Sequence, residues 1–490
     1  MLKFTELPWL RNGLACLMCA ALLLQTAGCE PRRPVTPKVP LQPTVFEPLR
    51  EALLKSYEDL FEEAPRLEFT AAQIQQMREY LRRSREYCVG RYKDRVKEHE
   101  KNLQSAQAEL KRRTATLSDA ERKDLHCRIQ NLRAVKSQAE VLANHAIPVA
   151  FENRQAKLDL IEKWPAQLKQ IQQEIASGAY HNRPYGDVKD IGFREVGKGQ
   201  EQDVKLGEDT VREMRQTGLM PPEVKNEVVQ KYVSELAKKI AARSDLRVPV
   251  KVTVLNSKEI NAFALPGGFL FVQRGLLEAA EDESQLAGVL AHEIAHAAAR
   301  HGQRLMKKAT IANLIYQAAQ VAAVILTGGA ATIGTYYALQ YGFYGLGLVL
   351  SLDLLGVSRD FELEADQLGV QYAWNAGYDP SGFIRFFDKM ATREGYVNGV
   401  SWFRTHPPFY ERMVHTKREM LFLPKKEGLI RQSTAFEAMK KELAKVTAEA
   451  EEEEKGRPSL LAPEQGCPAP EKIEYKPGDK IEAICALPTT

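Results

Sequence analysis

Two histidines four residues apart, the first followed directly by a glutamate, interrupt an otherwise apolar run: Val289-Leu290-Ala291-His292-Glu293-Ile294-Ala295-His296. The run has helical periodicity. On a helix, positions i and i+4 share a face, so both imidazoles can reach one ion. Glu293 sits beside them, where a carboxylate can take a proton from a metal-activated water and pass it to a leaving amine. Zinc suits such ligands, because it lowers the pKa of a water toward ~7 and polarises a carbonyl. A catalytic zinc also needs a third protein ligand and an open fourth position. Phe361-Glu362-Leu363-Glu364-Ala365-Asp366 offers carboxylates on another helix. Glu362 and Asp366 share a face, so Glu362 is the candidate ligand and Asp366 the candidate to orient a ligand histidine. Glu364 points elsewhere.

The wider pattern is His292-Glu293-x-x-His296-x-x-x-Arg300-His301, then Ser358-Arg359-x-x-Glu362-x-x-Ala365-Asp366. It resembles zinc metallopeptidase family M48, which takes in CAAX prenyl proteases, HtpX and periplasmic lipoprotein-type members. The resemblance covers about residues 200–423. It implies a zincin-like domain, one Zn2+ per chain held by His292, His296 and Glu362, and Glu293 as acid/base. Asn261-Ala262-Phe263-Ala264-Leu265-Pro266-Gly267-Gly268 is similar to the family segment that leads into a substrate-holding edge strand. Phe269, Leu270, Phe271, Val272 and Gln273 are the candidate strand. An edge strand pairs with extended backbone and reads side chains weakly, so unfolded polypeptides suit it. Thr405-His406-Pro407-Pro408-x-x-x-Arg412 resembles a later family element. His406 is a candidate fourth ligand at rest or oxyanion donor, and Arg412 a candidate to stabilise the tetrahedral intermediate. A loop histidine and a surface arginine is the plainer reading. Arg300 and His301 are expected to brace the site.

At 490 residues the chain is too long for one core, and two or three domains are expected. A formal net charge of +4 gives no case for nucleic-acid binding. The expected class is α+β, mostly α: an H-E-x-x-H helix with a small sheet, preceded by a long antiparallel helical arm. Residues 49–178 read as that arm, rich in Glu, Lys, Arg, Gln, Ala and Leu. Ser118-Asp119-Ala120-Glu121 reads as a capping box opening its second helix, and Pro148 and Pro165 as breaks or kinks. A spacer or a docking arm for a protein partner both fit it. Residues 179–199 form a linker, 200–423 the metallopeptidase domain and 424–490 a charged, solvated C-terminal tail.

Lys3 and Arg11 precede a short apolar run that ends in Thr26-Ala27-Gly28-Cys29. This resembles a bacterial lipoprotein box, with residues 1–28 the signal peptide and Cys29 the lipidation site. A plain secretory signal is the alternative. Residues 29–48 carry Pro31, Pro34, Pro37, Pro40, Pro43 and Pro48, a semi-rigid tether. A lipid-anchored protein on the periplasmic side of a bacterial envelope is expected. Glu30 after Cys29 favours the outer membrane. Cys467 and Cys485 are candidates to pair, whereas Cys88 and Cys127 do not face each other across the hairpin. Residues 309–352 contain no charged residue and no histidine. They suit an apolar lid or interfacial contact, or a membrane hairpin. The expected function is hydrolysis of peptide bonds in unfolded or misassembled envelope proteins. The alternative is a membrane-tethered chaperone that keeps the zinc site and rarely cleaves.

Overall fold

The computed structural model describes residues 47–216, 220–306, 359–390, 410–455 and 467–468. Cys29, His406 and residues 309–352 lie outside them. The architecture is α+β and mostly helical. Among the described residues, no helix is long and apolar enough to cross a membrane.

Short helices α1 (Glu47–Ala52) and α2 (Tyr57–Glu63) lead into the 43-residue α3 (Ala71–Arg113). Thr70 opens α3 with a capping box: its hydroxyl accepts from the Gln73 amide, and the Gln73 side chain accepts from the Thr70 amide. Ser118 opens α4 (Asp119–Val141) with the box its spacing predicts, paired with Glu121. A π-helical turn at Leu142–Ala146 runs directly into α5 (Ile147–Ser177). Pro148 falls at the start of α5, and the helix continues through Pro165. Burial of Leu160, Ile161 and Trp164 holds it there, and the Trp164 indole donates to the Phe61 carbonyl at 2.9 Å. The arm is therefore α3 packed against a rod of α4 and α5.

Residues 178–202 are a chain of short turns. Gly178 closes α5 in the left-handed conformation, as such helix ends favour. Then come α6 (Asp203–Gln216) and α7 (Glu227–Ala241), the latter capped by the Asn226 side chain. Three strands follow: β1 (Lys251–Leu255), β2 (Ala262–Leu265) and β3 (Phe269–Gln273). Their order is β1-β3-β2, with β1 parallel and β2 antiparallel to β3. Gly267 and Gly268, at φ of +80° and +84°, turn β2 into β3. The remaining described helices are α8 (Arg274–Ala279), α9 (Glu283–Ala298), α10 (His301–Met306), α11 (Arg359–Asn375), α12 (Ser381–Lys389), α13 (Tyr410–Phe422) and α14 (Thr434–Lys455).

Helix α9 is buried almost all round, between α7, α11, α12 and β2. Its small residues let backbones approach closely. At Gly369 of α11, an added Cβ would stand 3.0 Å from the His292 backbone. Gly369→Ala is therefore expected to push α11 away from α9, at a cost of about 1–3 kcal/mol. Zinc affinity should fall with it, because Glu362 rides on α11. Thermal unfolding and zinc titration check this, and an unchanged midpoint would show that the packing relaxes.

The base of the arm and the sheet domain share one hydrophobic core, from Leu49 and Trp164 to Leu286 and Phe387. Ion pairs stitch the same seam. Buried Lys157 of α5 lies 2.8 Å from Asp388 of α12. Arg385 of α12 meets Glu58 of α2 at 3.2 Å, Asp282 at 3.3 Å and Asp379 at 3.2 Å. Burial pushes the Asp379 carboxyl up. The Ser381 hydroxyl and amide, with Arg385, outweigh that and leave it below its ordinary value of 3.8. A depressed carboxyl stabilises the fold fully above the ordinary value, and the gain is lost as pH falls through the folded value. Asp379→Asn should therefore melt lower than wild type at pH 7, and the gap should close as pH falls below the ordinary carboxylate value. A gap independent of pH would assign the effect to packing.

Two expectations about the C-terminal region change. The charged segment after residue 424 is not a solvated tail throughout. Phe436, Met439, Leu443 and Val446 make a buried stripe by which α14 packs on α7 and α8. The Glu and Lys between them mask the spacing. Lys440 donates to the carbonyls of Leu277, Glu278 and Ala280, capping the end of α8. Cys467 pairs with Cys127 of α4, across 340 residues of sequence, and not with Cys485. Proximity in sequence misled, because the chain returns to the arm. Cys88 is also disulfide-bonded.

Candidate metal centre

The centre is built by two helices that cross at Gly369. Asp282 caps α9, its side chain accepting from the Gln285 amide, and three turns later α9 presents His292 and His296. Helix α11 brings in Glu362, one turn before Asp366. Glu362 Oε2 lies 3.6 Å from His292 Nε2, and Glu362 Oε1 lies 3.3 Å from His296 Nε2. The two Nε2 atoms stand 3.0 Å apart. Among the described residues, these three form the one group able to hold a metal, with ligand atoms within 4.8 Å of one another. Two neutral imidazole nitrogens and a carboxylate are a donor set that fits zinc. The convergence of lone pairs on one point is what a cation would answer.

Each histidine is held from behind. His292 Nδ1 lies 3.0 Å from Asp366 Oδ1, as expected for an orienting carboxylate. The Phe383 ring stacks on the His292 ring at 5.2 Å. Asp366 is itself gripped by Arg412 through two bonds of 2.7 and 2.6 Å. Burial pushes Asp366 up, but the charge of Arg412 and the bond to His292 prevail and hold it below the usual carboxylate range.

Arg412 differs from the expectation that it meets the intermediate's charge. Its side chain is fully buried, and its third nitrogen reaches Glu362 at 2.9 Å. The guanidinium is already answered by two carboxylates.

Glu293 is 2% exposed. Burial and the Glu362 carboxylate push its pKa up to about 8, against the pull of His292, the Ala264 amide and Arg412. The Ala264 amide belongs to β2, so the acid/base candidate touches the sheet's outer strand directly.

That places the substrate strand differently from the expectation. Phe269 to Gln273 form β3, which is central: β1 occupies one side and β2 the other. Its backbone groups are spent in the ladder, and an incoming chain cannot pair with it. The edge strands of this sheet are β1 and β2, and of the two it is β2, Ala262–Leu265, whose Ala264 amide reaches Glu293. Four residues with no strict alternation left little sequence signal for it.

Two residues stand behind His296. His301 Nδ1 lies 2.8 Å from His296 Nδ1, and His301 Nε2 lies 3.1 Å from Glu364 Oε2. Burial lowers the His301 pKa to about 4, with Glu364 opposing. Glu364 points away from the ligand atoms, as its spacing implies, but toward this histidine. Arg300 is held by two bonds to Asp203 of α6, at 2.6 and 2.7 Å.

Residues 223–420 match the model of Peptidase family M48. The chain is 28% identical over 215 residues to the β-barrel assembly-enhancing protease of Yersinia pestis, covering 42% of this chain and 41% of that protein. It is 26% identical over 202 residues to the Escherichia coli K12 protein of the same name, 40% and 39% of the two chains. It is 31% identical over 185 residues to the mitochondrial metalloendopeptidase OMA1 of Schizosaccharomyces pombe, 37% and 50% of the two chains. The chain thus spans half or less of the length of each relative. All the residues of the candidate centre fall inside the matched segment, and residues 223–420 belong to Peptidase family M48.

Proposed function

We propose that this chain is a zinc-dependent endopeptidase. The observation that carries the reading is the meeting of His292, His296 and Glu362 ligand atoms within 4.8 Å, with Glu293 next to them and against β2. Zinc, when bound, would supply Lewis acidity toward water and the peptide carbonyl. The chain's own residues do the rest. Glu293 takes the proton of the attacking water on a carboxylate oxygen and delivers it to the departing amine nitrogen. The outer edge of β2 pairs with the substrate backbone in extended form. Arg412, through Asp366 and Glu362, positions ligands and does not touch substrate. His406 remains the candidate donor or resting ligand.

The substrates we infer are unfolded or misassembled polypeptides of the bacterial envelope. Strand pairing favours extended chains. The Cys127–Cys467 bridge favours an oxidising compartment. Cys29 and the Pro-rich segment after it favour a lipid anchor there. Two of the relatives are named for assisting β-barrel assembly.

The test is metal dependence. Full-length protein stripped with a chelator should stop cleaving an unstructured polypeptide, and one equivalent of zinc should restore cleavage. Activity that survives complete removal of zinc would sink the reading.

A further inference from the structure

We propose that His301 and Glu364 form a relay that sets the ring orientation and tautomer of His296. The two histidines of the centre would then have chemically different supports. The inference rests on the zinc reading above.

Proton bookkeeping leads to it. If His296 gives its Nε2 lone pair to the metal, its Nδ1 carries the hydrogen. That nitrogen faces Nδ1 of His301 at 2.8 Å. An N–H can meet only a lone pair, so His301 must be bare at Nδ1 and protonated at Nε2. Its Nε2 faces Glu364 Oε2 at 3.1 Å, a carboxylate that can only accept. One assignment satisfies every atom: Glu364 accepts from His301, which accepts from His296. Without Glu364, the other tautomer of His301 would set two N–H groups against each other. His292 is supported instead by a carboxylate directly, Asp366 at 3.0 Å.

The geometry is built for this contact. Residues five apart do not share a helix face. His301 meets His296 because α9 ends and Arg300 adopts a φ of +58°, the left-handed region a side chain rarely enters. Two hydrogen bonds donated by Arg300 to the Asp203 carboxylate hold that turn. His301 is 2% exposed, and its ring lies flat on Phe361 at 4.4 Å and 8°. Phe361 and Glu364 sit one turn apart on α11, the helix that also carries Glu362.

The test is zinc affinity of the full-length protein, measured by competition with a chromophoric chelator at one pH. His301→Phe keeps the ring and its stacking but offers no nitrogen, and should weaken zinc binding about 10- to 100-fold. Glu364→Leu should weaken it comparably. Glu364→Gln keeps an acceptor oxygen for the Nε2 hydrogen and should stay within a few-fold of wild type, a rescue that packing alone does not explain. Melting of the zinc-stripped His301→Phe protein reports its folding; should it not fold, the two Glu364 variants decide. The proposal is overturned if His301→Phe or Glu364→Leu binds zinc as tightly as wild type, or if Glu364→Gln is as weak as Glu364→Leu. A wild-type protein that binds no zinc would instead sink the metallopeptidase reading.

Discussion

Glu293→Gln is expected to lower cleavage of an unstructured polypeptide by about a hundred- to ten-thousand-fold, the span of general acid/base catalysis. Zinc content should stay at one per chain. Glutamine keeps the shape of the side chain and an oxygen for the Ala264 amide, but it cannot carry the proton. The variant therefore removes chemistry and leaves architecture. Equal activity in variant and wild type would point to a contaminating protease. Loss of zinc with loss of cleavage would make Glu293 part of the metal's support and not the acid/base. A wild type that binds zinc and cleaves nothing would favour the chaperone alternative, with the helical arm as its working part.

Arg412→Met should be the most destabilising of the substitutions considered. Its guanidinium neutralises Asp366 and Glu362 with all three side chains at 0–1% exposure. Removing it leaves two buried carboxylates uncompensated, and breaking a buried pair from one side costs about 3–5 kcal/mol. Denaturant unfolding of the zinc-stripped protein measures this without the metal's own contribution. Arg412→Lys should recover only part of the loss, because an ammonium cannot reproduce the two-pronged grip on Asp366. Unfolding within 1 kcal/mol of wild type in Arg412→Met would mean that the carboxylates take up protons instead. The same measurement separates positioning from catalysis: a group whose work lay in the transition state would leave stability unmoved.

The chemistry was legible where it lies within one helix or two. The i, i+4 spacing puts His292 and His296 on one face with Glu293 beside them, and the same spacing pairs Glu362 with Asp366 on a second helix. The Ser118 capping box was legible too, because a cap is decided by four neighbouring residues. What the sequence could not yield depends on contacts between distant segments. Strand order is one case: β3 looks the better strand by composition, yet its two neighbours use up its hydrogen bonds and take the edges, with β2 the one beside Glu293. The Cys127–Cys467 bridge is another, since loop closure over hundreds of residues leaves no local trace. The placement of Arg412 is a third. Its position in the sequence suggested the substrate side, whereas burial beside two carboxylates makes it a brace.

Local periodicity and donor identity therefore determined which groups this protein brings together in the candidate metal centre. Only the tertiary structure decided which edge strand lies beside Glu293, which charges are answered, and that His301 and Glu364 stand behind His296. Ligand identity is a property of a few covalent neighbours. Edge exposure, charge neutralisation and the direction of a proton depend on what folding packs against each group.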